Sequence, residues 1–558
     1  GRSSGLKNSL QRSGEREMRK TAKDRIKEII TKVVKETPAF AGIEENDIVV
    51  LPTTKEEFGE FYTNIAFRMK GKDFPSPKDA GEYLKVKILS LAPEFIERIE
   101  VKNGFLNFFL RNDFYLQLVS DVATGDISSL KPSPVVKSKI LIEFVSANPT
   151  GPLTIAHGRQ AAFGEALARV LKYAGFDVTK EYYINDAGRQ IKLLGESLKA
   201  RYLQMKGVNC PIPEGGYEGD YLIDIAKKVK DEKIDFNQFA ADLILEDIKE
   251  DLKRFGVCLD RWVRESDFFK RGKVDELLKY LEEKGVIYSA EGSKWFKSSA
   301  FGDEKDRVVI KRDGSYTYLA SDIAYHKDKI ERGYDILINI VGPDHHGYIP
   351  RIKAVVETFG FPPENLHFII VQLTTLYRGK EKLSMSTRKG QFISLKQLMD
   401  EVGPDASKFF FIFRKADSHL DFDLELAKKQ SVENPVYYLQ YAYVRMKHII
   451  EFAKEKGMDI SSGSVDLSLL NEPEELSLAK YIAKFPDTIE AVVNSYGVHL
   501  LAEYLLDIAK LFHSYYHKHR VVTDDKELSS ARLVLTKALL SVFSLSLNLL
   551  NITLPEKM

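Results

Sequence analysis

The segment Lys139–Val145 (KILIEFV) constrains the fold more than any other part of the chain. A continuous apolar run without alternation is what a strand buried on both faces requires, and such strands belong to parallel sheets covered by helices. A turn rich in Pro, Gly and Asn comes next, then a helix from about Gly158 to Ala174. Strands are expected again at Thr179–Ile184, Ile336–Val341 and His367–Leu373, with helices between them. That alternation predicts an α/β domain built on a doubly wound, Rossmann-like parallel sheet. The stretch from about Gln190 to Arg307 reads as helix-rich and as an insertion into that sheet. From about Glu433 to Pro555 the periodicity is helical throughout.

Ahead of the sheet, Ile26, Ile29, Ile30, Val33 and Val34 recur at helical spacing, and Ile48–Leu51 and Arg98–Leu110 alternate as strands do. These make a small α+β unit. A Pro/Ser-rich linker containing Asp126, Ser128, Pro132 and Pro134 separates it from the sheet domain. The expected organisation is a recombinant or disordered leader over 1–19, an N-terminal domain over 20–127, a catalytic domain with its insertion over 136–430, and an all-α bundle over 431–558.

Composition excludes several classes. Hydrophobic residues at 44% and charged residues at 29% are a globular balance, not a disordered or fibrous one. The two cysteines, Cys210 and Cys258, form no CxxC pair, which argues against a zinc ribbon or a disulfide scaffold and fits a reducing, cytoplasmic setting. The apolar stretch Ala538 to Leu554 is interrupted by Ser541, Ser544, Ser546 and Asn548, so it reads as a core helix and no membrane partner is expected. A net charge of +1 is neutral on nucleic acid, because electrostatic footprints are local.

Four segments carry chemistry. In IEFVSANPTGPLTIAHGRQ, His157 falls at the entry to the helix after the first strand, where ligands of parallel sheets bind. A histidine there can donate to phosphate oxygens as charge moves through a transition state. The run GKEKLSMSTRKGQ puts Lys380, Lys382, Arg388 and Lys389 on a short loop before a helix, and mobile cations suit a departing pyrophosphate. In SYTYLASDIAYHKDK, Tyr318 and Asp322 share a helix face, and a carboxylate beside a tyrosine suits a guanidinium. In INIVGPDHHGYIPR, neighbouring His345 and His346 diverge and no Cys or His completes a set, so no metal site is expected there. His513 and His517 share a helix face and also lack a third ligand. Taken singly, each of these is also what an ordinary loop, surface helix or bundle would show.

Together the segments resemble arginyl-tRNA synthetases, a class I aminoacyl-tRNA synthetase family. Glu143, Phe144, Ser146, Asn148, Pro152, Leu153 and His157 match that family's pattern around the HIGH signature. Thr154 stands where the first signature histidine is expected, and Ala156 where the glycine is expected. Ser384-Met385-Ser386-Thr387-Arg388 covers the KMSKS positions, so both signature lysines are absent and Lys382, Arg388 and Lys389 are the available substitutes. The resemblance implies ATP contacts at Thr154, Ala156, His157, Gly158, Ser384, Met385 and Ser386. It implies an arginine pocket of Tyr318 and Asp322, with Glu143 and Asn148 on the other polar groups of the amino acid. Asp344 is a further substrate contact, and Gln372 a weaker one.

The Tyr-rich helical tail (NPVYYLQYAYVRMKHI) resembles the family's anticodon-binding bundle, with Tyr441, Arg445 and the terminal Met558 as tRNA contacts. The N-terminal unit resembles the family's additional tRNA-binding domain, with Asn107 as a candidate base contact, although a buried strand is the simpler reading of its neighbours. The implied reaction activates arginine with ATP and Mg²⁺ and transfers it to the 3′-terminal adenosine of tRNA(Arg), on a monomer. A tRNA-binding paralogue without catalysis, a class I lysyl enzyme and a simple nucleotidyltransferase are the rival readings.

Overall fold

A computed structural model describes residues 21–68, 73–132, 137–383, 392–458 and 465–556. At its centre is a five-stranded parallel sheet. Its spatial order is Leu366–Ile370, Ile336–Val341, Lys139–Glu143, Asp177–Ile184 and Arg261–Arg264. The first strand in the chain lies in the middle, and the order reverses beside it. The four expected strands are present. The fifth, Arg261–Arg264, lies inside the segment read as a helical insertion. Its sequence RWVR is polar because it is an exposed sheet edge. The insertion is also not purely helical, for Ile287–Ala290, Ser293–Phe296 and Arg307–Ile310 form a three-stranded antiparallel sheet.

The central sheet is covered on both faces, as its apolar strands require. Ile140, Ile142 and Phe144 face the helix Ile155–Tyr173 in one core. Leu141, Leu337 and Tyr183 face the helices Tyr318–Glu331 and Ile349–Thr358 in another. Gly164 is glycine because a Cβ there would lie 2.5 Å from the Phe144 ring.

Polar residues also alternate across the sheet, and each face pairs its own. Lys180 donates to Glu165 on the first helix (2.7 Å), with both side chains buried. Its neighbour Glu181 is fully buried on the opposite face, where it accepts from Arg332 (2.5 and 2.9 Å) and from the Tyr325 hydroxyl (2.6 Å).

The N-terminal unit is a four-stranded antiparallel sheet packed on the helices Ala22–Lys35 and Pro77–Ser90. The helix after it, Asn112–Ala123, packs against Pro473–Ala483 and Lys526–Leu549 of the C-terminal bundle. Lys480 reaches back to Glu60 (3.0 Å) across that junction. The bundle comprises Pro435–Glu455, Pro473–Ala483, Phe485–Ser495, His499–Lys518 and Lys526–Leu549, with no strand among the described residues. By length and apolarity Lys526–Leu549 could cross a membrane. Here Ala531, Leu535, Leu539 and Phe543 are fully buried in the bundle, as the core-helix reading expects.

Removing one partner of a buried ion pair leaves an uncompensated charge and costs about 3–5 kcal/mol. Glu181→Ala leaves Arg332 with Asp328 as its remaining ion-pair partner (3.0 Å), so a loss at the lower end of that range is expected. Denaturant unfolding followed by the emission of Trp262, which stacks on Tyr182, should show a stability loss of that size. A loss below about 1 kcal/mol would mean the pair is not an anchor of the sheet.

Candidate active site

The reversal of strand order beside Lys139–Glu143 opens a crevice at the carboxyl ends of that strand and of Ile336–Val341, where ligands of such sheets bind. The chain leaves the first strand through two successive non-glycine residues in the left-handed region, Val145 (φ 68°) and Ser146 (φ 39°). Conformations of this kind cost of order 1–3 kcal/mol each and persist where surroundings enforce them. Here the Ser146 hydroxyl donates to Glu143 Oε1 (2.9 Å) and accepts from the Tyr183 N–H (3.1 Å). The Tyr182 hydroxyl holds the Ala147 carbonyl (2.8 Å), and Asn148 donates to Gln190 (2.7 Å). The kink therefore fixes Glu143 and Asn148 at the mouth of the crevice.

The next helix begins at Ile155, with Thr154 as its N-cap. His157 Nδ1 accepts from the Thr154 N–H (3.1 Å) and lies 3.1 Å from its hydroxyl. That bond leaves the proton of the neutral ring on Nε2, as a donor. Burial pulls the His157 pKa down to about 4, opposed by the charge of Asp344, so the ring is neutral at pH 7. Thr154, which replaces the first signature histidine, is thus the residue that caps the helix and orients the second. Ala156 is exposed at the same turn. The resemblance places Gly158 among the ATP contacts. Its missing side chain faces inward, where a Cβ would meet Leu395 (2.7 Å) and Phe411 (3.2 Å).

That inward contact joins the two signature regions. Leu395 N–H donates to the Leu153 carbonyl (2.8 Å), and Thr154 bridges Ser394. Ser394 caps the helix Leu395–Val402, which comes after the basic loop. Lys382 lies exposed on the hairpin Thr374–Arg378/Glu381–Lys382 at the loop's other end. Ser384, Met385, Ser386, Arg388 and Lys389 lie outside the described residues, as do Met558 and the 1–19 segment.

The second half of the site is acidic. The Tyr348 hydroxyl donates to Asp322 Oδ2 (2.7 Å), and Ser321 donates to Glu265 Oε1 (2.6 Å). Glu265 Oε2 is buried without a partner. Burial raises Asp322 to about 6, against the Tyr348 hydrogen bond and with help from the charge of Glu143. Burial raises Glu265 to about 7, against the Ser321 hydrogen bond and with help from Asp322. Burial raises the Tyr183 hydroxyl well above its ordinary value, with help from the charges of Glu265, Asp322 and Glu143. Tyr318 opens the helix that carries Asp322 and is 58% exposed. Asp344 sits on the exposed turn Pro343–Tyr348. The Gln372 carbonyl accepts from the buried Arg159 (2.9 Å), which marks a structural tie.

Sequence reasoning missed Glu265, Tyr348 and Lys329. Glu265 comes directly after the unrecognised edge strand, and the other two lie within segments singled out for different residues.

In the bundle, Arg445 lies between the rings of Tyr441 (4.7 Å) and Tyr516 (4.5 Å), and Tyr441 stacks on His513 (5.7 Å). Stacked aromatic and guanidinium planes of this kind receive unpaired bases. Asn107 does not fit its expected role. It is 4% exposed, in the strand Phe105–Leu110, with its amide 3.4 Å from the Glu100 carbonyl. Among the described residues Glu472, Glu474 and His519 cluster at metal-ligand distances, but Glu474 already pairs with Lys518 and His519.

A parallel sheet with a histidine at the helix entry after its central strand and acids on the opposite face is compatible with a class I aminoacyl-tRNA synthetase. The chain matches the model of the class I (R) tRNA synthetase catalytic domain over residues 127–411. It matches the arginyl tRNA synthetase N-terminal domain over 20–110 and the DALR anticodon binding domain over 439–558. An arginine–tRNA ligase of Geobacter sp. (strain M21) is 44% identical over 517 residues, 90% of this chain and 93% of that protein. One from Bacillus licheniformis is 40% identical over 96% of this chain and 99% of its own length. The fold is that of the Thermus thermophilus arginyl-tRNA synthetase structure, with a TM-score of 0.76 at 22% identity, covering 96% of this chain and 100% of that one. The chain belongs to the arginyl-tRNA synthetase family.

Two buried acids with raised pKa values make cation binding proton-linked. A guanidinium needs both ionised, so arginine affinity should strengthen as pH rises through about 6 to about 7, with protons released on binding near the middle of that window. Calorimetry in buffers of different ionisation enthalpy measures that release, and a null release there would remove these acids from the pocket.

Proposed function

We propose that the chain is an arginine–tRNA ligase. It activates arginine with ATP to arginyl-adenylate and transfers it to the 3′-terminal adenosine of tRNA(Arg). The observation that supports this reading is that Glu265, which is buried, and Asp322, which is half-buried, each hold a hydroxyl partner in the same domain as His157. A planar guanidinium offers the bidentate, charge-assisted hydrogen bonds such acids lack in its absence.

In this reading Asp322, Glu265 and Tyr318 hold the guanidinium, and Glu143 and Asn148 hold the α-ammonium and carboxylate end. The carboxylate attacks the α-phosphate of ATP and pyrophosphate leaves. His157 donates from Nε2 to the phosphoryl oxygens, and Thr154 keeps it oriented. Thr154, Ala156, His157, Gly158, Ser384, Met385 and Ser386 line the nucleotide. Lys382, Arg388 and Lys389 track the charge onto pyrophosphate, with catalysis coming from positioning and electrostatics. Asp344, whose charge acts on His157, is a substrate contact in this reading. Mg²⁺ typically takes one or two carboxylates with phosphates and waters, so Asp344 would also be available to it, and the ion would help to neutralise phosphate charge. Tyr441, Arg445 and Met558 contact tRNA. The working form is a cytoplasmic monomer divided at 20–127, 136–430 and 431–558, the first border falling just after the helix that docks on the bundle.

ATP–pyrophosphate exchange with each standard amino acid, with and without total tRNA, tests this. Arginine alone should support exchange, and only with tRNA present. No exchange from folded protein that still binds tRNA would favour a non-catalytic paralogue, and exchange with lysine would favour the lysyl reading.

A further inference from the structure

Arg159 follows His157 on the helix Ile155–Tyr173 and is 1% exposed. A buried cation ordinarily faces a carboxylate. Here the guanidinium directs its donors at main-chain carbonyls. One terminal nitrogen donates to Gln372 and to Ser418 (both 2.9 Å), and the other to Lys415 (2.8 Å). Burial lowers the Arg159 pKa to about 10, opposed by the charge of Asp417, so the group stays a cation at pH 7. The carbonyls belong to two separate stretches of chain. Gln372 comes just before the strand Thr374–Arg378, and Lys415 and Ser418 come just before the strand Leu420–Asp423. Those strands pair in parallel, from Thr374 opposite Leu420 to Tyr377 opposite Asp423. The Gln372 N–H closes the same corner by donating to the Ala416 carbonyl (2.8 Å). One side chain therefore holds the start of both strands against the His157 helix. The first of them runs on into the hairpin that ends at Lys382.

We infer that Arg159 is a positioning residue for adenylate formation, holding the hairpin that carries Lys382 in place relative to His157. The inference rests on the arginine-activating function proposed above, in which His157 and Lys382 act on one triphosphate from elements far apart in the chain. A guanidinium suits the task because its donors point in fixed directions and can hold carbonyls of separate segments at once. A lysine ammonium is a point donor on a flexible stem and carries the same charge without that geometry. The partners of Arg159 are neutral, so the contact fixes direction and does not balance charge. The far side of the basic loop returns to the same helix entry, where the Leu395 N–H donates to the Leu153 carbonyl (2.8 Å) and Thr154 bridges Ser394.

The test is Arg159→Lys, read on two reactions that divide the pathway. Arginine-dependent ATP–pyrophosphate exchange includes the step that makes and breaks the bond between phosphates. Deacylation of arginyl-tRNA by AMP, which yields arginyl-adenylate and free tRNA, runs the transfer step backwards without pyrophosphate. The kcat of exchange should fall about ten- to a hundredfold, the scale of a misplacement of about 1 Å at the reacting groups. AMP-dependent deacylation should stay within about threefold, because no bond between phosphates changes there. Equal losses in both reactions would mean a general effect on the fold and would overturn the inference. Unchanged exchange would overturn it too, since a cation alone would then suffice.

Should Arg159→Lys not fold, Asp417→Lys sets a like charge against the guanidinium from an exposed turn and leaves the core as it is. Exchange should then fall about threefold relative to AMP-dependent deacylation, the scale of one surface charge interaction. An unchanged ratio would overturn the inference. A wild-type protein with neither arginine-dependent exchange nor arginyl-tRNA deacylation would sink the function itself. Wild-type activity in both, with variants that lose both alike or neither, would sink only the role of Arg159.

Discussion

Three polar side chains stand in a row across adjacent parallel strands, Asn339, Glu143 and Glu181, paired by register on the same face of the sheet. A buried polar row in an α/β core is costly unless every member is satisfied. One helix satisfies all three, for Lys329 bonds Asn339 and Glu143, and Arg332 at its C-cap grips Glu181. The requirement fixes where the helix Tyr318–Glu331 sits and how it is rotated. Its first turns, with Tyr318, Ser321 and Asp322, are then set over the strand ends. The position of Asp322 is thus the far end of a structural solution to burying charge.

The opposite face of the sheet serves the nucleotide side. Lys180 and Glu165 anchor the helix that begins at Ile155, and the missing side chain of Gly158 lets the helix after the basic loop pack against it. The helix of His157 is thereby anchored on one face and the helix of Asp322 on the other. The C-terminal bundle reaches the nucleotide side too. Arg169, on the His157 helix, donates to the Asn548 carbonyl (2.9 Å), and Asn551 donates to the Gly256 carbonyl (3.0 Å). The aromatic–arginine stack around Arg445 is therefore part of one packed body with the catalytic helices.

Much of this was legible in the sequence for a physical reason. Doubly buried strands such as KILIEFV, and helix entries rich in Pro and Gly, are locally determined. The membership of His157, Asp322 and Tyr441 in their elements comes from periodicity. What stayed hidden depends on long-range register. Nothing local says that Asn339 lies beside Glu143, or that Lys329 ends beneath both. Edge strands hide for a related reason, since Arg261–Arg264 has solvent on one side and needs little apolar character. That concealed Glu265, the acid directly after it. Asn107 shows the reverse error, a polar residue in an aromatic strand read as a base contact when its amide turns toward a backbone carbonyl. Thr154 looked like an eroded signature, and the structure gives it a capping and orienting role.

Under the proposed function, Asp322 and Glu265 select a cation. Citrulline replaces the guanidinium of arginine with a neutral ureido group of nearly the same shape. A site built around hydrogen-bonded charge rejects such an analogue by roughly 10⁴-fold, because its buried acids are left unpaired. The kcat/KM ratio for arginine over citrulline in tRNA-dependent pyrophosphate exchange measures this directly. A preference of at least about 10³ is the expected result, and citrulline within about tenfold of arginine would contradict the account.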